Sequence, residues 1–214
     1  MTSMTGATRS RTNWGLVLLL AATATAAYFC RVNVSVAGVQ IMKEYSLTQT
    51  QMGWVFSAFL FGYTLFMLPG GLIADAWGAA RTFAWLAWGW VAITVLQAAV
   101  PEVSASSPVL VALAMLVALR FLMGVLASPT YPAALEGVSR WTMPASVGRA
   151  NGRGSGSVPL ASALASPVAT AVMLRWGWRA SMVSSAIPAL VMAVAWLLIR
   201  DPARAGPEPI APSA

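Results

Sequence analysis

The chain has no histidine, a single cysteine and only six acidic residues in 214. Without histidine it lacks the commonest metal ligand and the commonest near-neutral proton carrier. Cys30 has no second cysteine to bridge to, so an internal disulfide is excluded and the redox compartment is unreadable. Charge of either sign is scarce. Only 9% of residues are charged, against about 25% in a soluble domain, while 58% are hydrophobic and the mean hydropathy is +0.73. That is the composition of an integral membrane protein, not of a globular enzyme domain. The net charge of +7 would suit nucleic acid, but most basic residues lie in short stretches between apolar runs, where they set orientation in a bilayer. No nucleophile–base pair, metal cluster or phosphate-binding loop is present in the pattern. An enzymatic role has almost nothing to rest on, and no metal or cofactor is expected.

What is there is organised around residues 54–81. The chain carries no charge from Tyr45 to Ala74, enough for a bilayer span at about 20 residues. The run ends in Gly71-x-x-x-Asp75-x-x-Gly78-x-x-Arg81, and Thr82 begins the next apolar run. Gly71 lets two helix backbones approach closely. Asp75 is placed to accept backbone N–H groups at a neighbouring helix start, with Arg81 as a nearby cation to pair with it.

Six spans are expected. The first opens at Trp14 and runs past Arg31 to about Gly38. A secretory signal peptide competes for this segment, but the apolar run continues to Val39 and five more follow. The others cover about 52–74, 82–100, 108–132, 154–174 and 180–199, with a tight turn at Arg175-Trp-Gly-Trp-Arg179 before the last. Residues 1–13 form a cytoplasmic tail, 14–200 the bundle, and 201–214 a Pro-rich cytoplasmic tail expected to be disordered. Arg9, Arg11, Arg81, Arg140, Arg149, Arg153, Arg200 and Arg204 fall on one side, and Lys43, Arg175 and Arg179 on the other. The more basic side is cytoplasmic, which puts both termini there, and Arg153 falls at the headgroup level.

Arg31 and Arg120 remain, both inside spans. A charge at membrane depth costs roughly 2.5–3.5 kcal/mol even on insertion scales, so it is kept facing water or a partner. If the spans form two three-helix repeats, the first and fourth are equivalent and both arginines face one central cavity. Guanidinium donors match both oxygens of a carboxylate, so the pattern points to binding of an organic anion near the midplane. Snorkelling or a backbone carbonyl partner is the competing role for each. Tyr28, Asn33 and Tyr63 add hydrogen-bonding groups, with Tyr28 one turn from Arg31 on the same helix face; interhelical bonding or packing is the alternative. Every acidic residue falls at a span end or in a loop, leaving none at depth.

The ordered set Tyr28-x-x-Arg31-Val-Asn33, Gln49-Thr-Gln-Met-Gly-Trp54, Gly62-Tyr63, Pro69-Gly-Gly71, Leu119-Arg120-Phe121, Gly148-Arg149-Ala150, Trp176-Gly-Trp-Arg179 and Arg200-Asp201-Pro202 resembles the anion:cation symporter family of the major facilitator superfamily. The resemblance covers roughly residues 14–202. It implies an all-α membrane fold in which these six helices, a 3+3 inverted-repeat bundle, form the N-terminal half of a twelve-helix carrier working by alternating access. It places Arg31, Tyr63 and Arg120 at substrate-binding positions. Three departures bear on coupling and on the loop: Cys30 and Ala127 stand where the family carries acidic residues tied to proton coupling, and Ala76 replaces the first arginine of the loop motif. The implied partners are a small organic anion, such as a sugar acid or aromatic carboxylate, the lipid bilayer, and either a second six-helix half or a second copy. The alternative is a truncated, non-transporting remnant or scaffold. No nucleic acid is expected.

Overall fold

A computed structural model describes residues 12–102 and 108–199. Residues 1–11 and 200–214, with Arg9, Arg11 and Arg200-Asp201-Pro202, lie outside the described residues. Within them the chain is helical, with no strand.

Helix α1, Trp14–Glu44, opens where the Asn13 side chain accepts the Leu16 N–H at 3.3 Å. That satisfies one of the donors a helix start leaves free. Helix α2, Gln49–Leu65, opens on a capping box between Thr48 and Gln51. It bends by 53° at Phe66 into α3, Met67–Trp77. Pro69 accounts for the bend, because it lacks an N–H and its ring crowds the carbonyl four residues back. The Ser128 hydroxyl donates to the Phe66 carbonyl at 2.9 Å inside the bend. Gly78 turns the chain with φ 77° and ψ 160° into α4, Ala79–Ala98. Helices α5, Val109–Ala127, and α6, Thr130–Trp141, are separated at Ser128-Pro129.

The last element, α7 (Val147–Leu198), is not one rod. Gly177 sits at φ 82°, ψ 169°, a conformation open essentially to glycine alone. Ser181 Oγ donates to the Ala169 carbonyl at 2.9 Å, whereas twelve residues of straight helix would hold them about 18 Å apart. The chain therefore doubles back. Its first arm runs alongside α1 in the same direction, with Ala150 beside Val17 and Leu20. Its second arm runs antiparallel to α1. Trp196 Nε1 donates to Thr23 Oγ1 at 2.9 Å at one end, and Trp178 Nε1 donates to a Glu44 carboxylate oxygen at 2.6 Å at the other. A Gly177→Ala substitution is expected to cost about 1–3 kcal/mol from backbone strain, read as a lower melting temperature of the purified protein.

Four helical stretches are long and apolar enough to cross a membrane, or five counting the bent pair α2–α3. One of the four, residues 144–198, contains both arms of α7.

Between helices in a membrane, packing and hydrogen bonds replace the hydrophobic effect. At the α1 start, Trp196 stacks on Phe83 at 5.5 Å and on Trp141 at 6.0 Å. At the α1 end, Arg179 pairs with Glu44 at 2.6 Å, lies 3.7 Å from Glu102, and donates to the Tyr45 hydroxyl at 3.0 Å and the Val100 carbonyl at 3.3 Å. Burial pushes the Tyr45 phenol above its ordinary pKa, against the pull of Arg179. Helices α2 and α5 meet backbone to backbone: a Cβ added at Gly62 would overlap the Phe121 carbonyl, and one at Gly124 the Phe59 carbonyl.

Around residues 71–81 the side chains differ from expectation. The tight glycine is Gly70, where a Cβ would lie 2.7 Å from Ser128 Oγ; at Gly71 the nearest atom, on Pro132, is an ordinary 3.7 Å away. Asp75 and Arg81 are exposed, and among the described residues no ion pair joins them. The carboxylate that receives the next helix start is Glu136 of α6, which accepts the Ala79 N–H at 2.8 Å and pairs with Arg140. Glu136→Gln is expected to lower stability by about 1 kcal/mol through the lost helix-end charge, measured as a melting shift; Asp75→Asn, exposed, should move it far less.

Candidate functional site

Arg31 lies on the face of α1 that turns toward α2 and the α5–α6 break. Its guanidinium carbon sits 4.6 Å over the Phe59 ring and 5.5 Å from that of Tyr28, cation–π contacts that steady a charge without neutralising it. Tyr63 lies one turn beyond Phe59 and stacks on it at 6.1 Å, nearly parallel at 13°. Together with Thr130 and Tyr131 these groups line a cleft of about 40 Å³. Arg31 is half-buried, and among the described residues no carboxylate pairs with it. Thr130 Oγ1 is shut off from solvent and, among the described residues, has no hydrogen-bond partner. The cleft thus offers one cation and three phenols between apolar walls, a donor set suited to a small carboxylate.

Arg120 is brought beside Arg31 but not into the cleft lining. It is 3% exposed. Both terminal nitrogens of its guanidinium donate to the Arg31 carbonyl at 3.4 Å, and its Nε has no partner among the described residues. Its guanidinium carbon lies 5.3 Å from the Phe59 ring, so Phe59 is flanked by both arginines. Of the two roles open to it in sequence, Arg120 takes the backbone carbonyl here and supports the helix segment that carries Arg31. Asn33 turns the other way: it is 2% exposed and its amide donates to Ser185 Oγ on α7. Cys30 likewise faces α7, donating to the Ser185 carbonyl at 3.4 Å. Ala127 lines the cleft, so a methyl group stands where the family resemblance expects a carboxylate.

Phe59, Thr130 and Tyr131 were not anticipated in the cleft. Phe59 carries no polar group and reads as packing; its signal is its place one turn before Tyr63 on the same face. Tyr131 follows Arg120 by about three turns and is 52% exposed at the lining. Its actual position is set by the break at Ser128-Pro129.

A second cavity of about 100 Å³ adjoins the first, between α1, α6 and the early arm of α7. The two share Ala27, Tyr28, Thr130 and Tyr131.

Long apolar helices make this a multi-pass membrane protein, with a half-buried arginine on an open cleft and, among the described residues, no carboxylate paired with it. Sequence comparison names its kind. The model of the Major Facilitator Superfamily matches residues 18–213, and the chain belongs to that family. It is 29% identical over 189 residues to the "Probable galactarate/D-glucarate transporter" of Bacillus subtilis (strain 168), covering 88% of this chain and 41% of that protein. The Escherichia coli (strain K12) protein of the same description is also 29% identical over 189 residues, covering 87% of this chain and 42% of its own length. A "Probable sulfoacetate transporter" of Cupriavidus necator is 32% identical over 157 residues, 73% of this chain and 34% of that protein. The chain therefore spans about two fifths of the length of the first two. These relatives are named for transport, and the chain belongs to a family of membrane transporters, which are not enzymes.

Proposed function

We propose that the chain is the N-terminal six-helix bundle, arranged as two three-helix inverted repeats, of a secondary carrier for small organic anions such as sugar acids or aromatic carboxylates. In this role Arg31 takes the substrate carboxylate, the phenols of Tyr28, Tyr63 and Tyr131 hold its polar groups, and Arg120 fixes the α1 backbone behind it. Alternating access requires a second wall, supplied by a second six-helix half or another copy. The observation that carries this is the Arg31 guanidinium, held at the cleft between aromatic faces with no carboxylate partner among the described residues. The names of the relatives support the substrate class, since galactarate, glucarate and sulfoacetate are all organic anions.

The test is uptake of labelled D-glucarate, sulfoacetate and an aromatic acid into vesicles holding the chain alone, then with any six-span partner encoded beside it. Uptake in either case supports a carrier, and its dependence on the partner distinguishes a split carrier from a homo-oligomer. Silence in both favours a scaffold or remnant.

Orientation follows from charge. Arg140, Arg149 and Arg153 gather at the end where α1 starts, close to Trp14 and Trp141, and Lys43 and Arg179 gather at the other. The positive-inside rule puts the α1 start and the C-terminus in the cytoplasm of an inner-membrane protein. A reporter fused at the C-terminus should be active only in the cytoplasm; periplasmic activity overturns this topology.

A further inference from the structure

A cavity of about 510 Å³ lies apart from the Arg31 cleft and shares no lining residue with it. Its walls are one face of α3 and one face of α4, and its floor is the α5–α6 break at Ser128-Pro129. Ile73, Trp77, Trp85 and Trp88 at its rim are between 42% and 67% exposed, so it opens outward from the bundle. Trp77 and Trp85 meet at 6.5 Å at the end where α4 starts. Two hydroxyls reach the recess, and both are taken. Thr82 Oγ1 donates to the Gly78 carbonyl at 2.9 Å and Ser128 Oγ to the Phe66 carbonyl at 2.9 Å. Apart from the indole N–H groups, the lining therefore presents no open polar side chain. Its size suits a bound molecule, and its chemistry asks for an apolar one.

The depth of the recess narrows the choice. Along α4 its lining runs from Thr82 to Ala92, about 15 Å of helix axis. That is about half of a 30 Å hydrocarbon core, the depth of one leaflet. A spanning helix from a partner would cross both leaflets. Charge narrows it further. Arg81, Trp85, Trp88 and Ala92 follow one another at four, three and four residues, a single stripe of α4, and all four are exposed. Arg81 stands outside the lining, one turn nearer the helix start than Trp85, where a headgroup and not a chain belongs. Among the described residues no carboxylate pairs with it. Asp75 lies two positions from both Ile73 and Trp77, about 200° round α3 from each, so it is on the far side of that helix from the recess.

From this we infer that the recess is a site for an anionic phospholipid. One acyl chain lies along α4 from Trp85 to Ala92, over the floor at Ser128-Pro129, and the phosphate meets Arg81 at the α4 start. The tryptophans at the rim suit the boundary between chain and headgroup, with an apolar ring and one N–H donor each. The topology proposed above says only which leaflet supplies the lipid. A failed lipid titration leaves that topology standing, and a failed topology leaves the lipid site standing.

The experiment uses the full chain in a neutral detergent, titrated with phosphatidylglycerol whose acyl chains carry bromine, a contact quencher of indole emission. Trp85 emission is isolated as the difference between the wild type and Trp85→Phe. Brominated phosphatidylglycerol is expected to quench it saturably, at about one fifth of the concentration needed for phosphatidylcholine with the same chains, the scale of one basic residue meeting an anionic headgroup. Arg81→Gln, at an exposed position, should bring phosphatidylglycerol to the phosphatidylcholine level and leave phosphatidylcholine unchanged. Ala92→Phe, which fills the deep end, should weaken both. Quenching that does not saturate, that is equal for the two headgroups in the wild type, or that keeps its headgroup preference in Arg81→Gln overturns the site. Indifference to Ala92→Phe would remove the recess from it, as would displacement of the lipid by sn-glycerol 3-phosphate, which would mark a phosphate site without a chain. A dimer by light scattering whose Trp85 the lipid cannot reach would show a second copy seated there, and overturns the lipid as occupant.

Discussion

Arg31→Gln should lower the affinity for an organic anion about 30- to 150-fold, the equivalent of roughly 2–3 kcal/mol for a desolvated, charge-assisted pair. The residue is half-buried and faces the cleft, so the substitution leaves no stranded charge and the protein should still fold. Arg31→Lys keeps the charge but loses the two-oxygen fork, and should fall between the two. Arg120→Gln is the informative contrast. Its guanidinium donates to the Arg31 carbonyl and does not line the cleft, so it should weaken binding only severalfold, through the position of α1. A loss at Arg120 as large as at Arg31 would mean that its guanidinium swings past Phe59 to meet the anion directly. Wild-type affinity in Arg31→Gln would sink the assignment of the site.

The second large effect is steric. Gly124 sits where α5 meets α2, and a side chain there would overlap the Phe59 carbonyl and lie 2.8 Å from the Tyr63 backbone nitrogen. Gly124→Ala should cost about 1–3 kcal/mol, as overpacking does, and Gly124→Leu should prevent stable accumulation. Because the displaced backbone carries Phe59 and Tyr63, surviving Gly124→Ala protein should also bind the anion more weakly. Gly53 of the same helix α2 is the control: nothing lies within 4 Å of an added Cβ, so Gly53→Ala should be neutral or stabilise by up to about 1 kcal/mol. Equal losses at both positions would show that the α2–α5 contact is not close. Thermal unfolding in detergent reads both.

The apolar helical character was legible because bilayer length and freedom from charge leave a one-dimensional trace, and the expected turn at Arg175-Trp-Gly-Trp-Arg179 falls where Gly177 reverses the chain. The breaks at Phe66 and at Ser128-Pro129 were harder to place, since a proline in a membrane helix bends it without interrupting the apolar run. Arg31 was legible as a cation within a span. Arg120 carried the same signal and met a backbone carbonyl instead, because a guanidinium at depth has two ways to be satisfied and sequence spacing does not choose between them. Asn33 shows the same ambiguity, resolved toward Ser185. Phe59 was invisible for the opposite reason: its part is played by the face of its ring. Asp75 was chosen as the helix-end carboxylate by nearness in sequence, whereas Glu136 reaches Ala79 across 57 positions, a contact that only the packing of α6 against the α3–α4 turn creates.

The central claim is that the Arg31 cleft recognises the charge of a small organic acid. Equilibrium binding of labelled D-glucarate to the chain in neutral nanodiscs, with unlabelled sulfoacetate and the uncharged polyol galactitol as competitors, tests it most directly. Saturable binding that sulfoacetate displaces and galactitol does not is the expected result; absence of binding, or displacement by galactitol as effectively as by sulfoacetate, would contradict it.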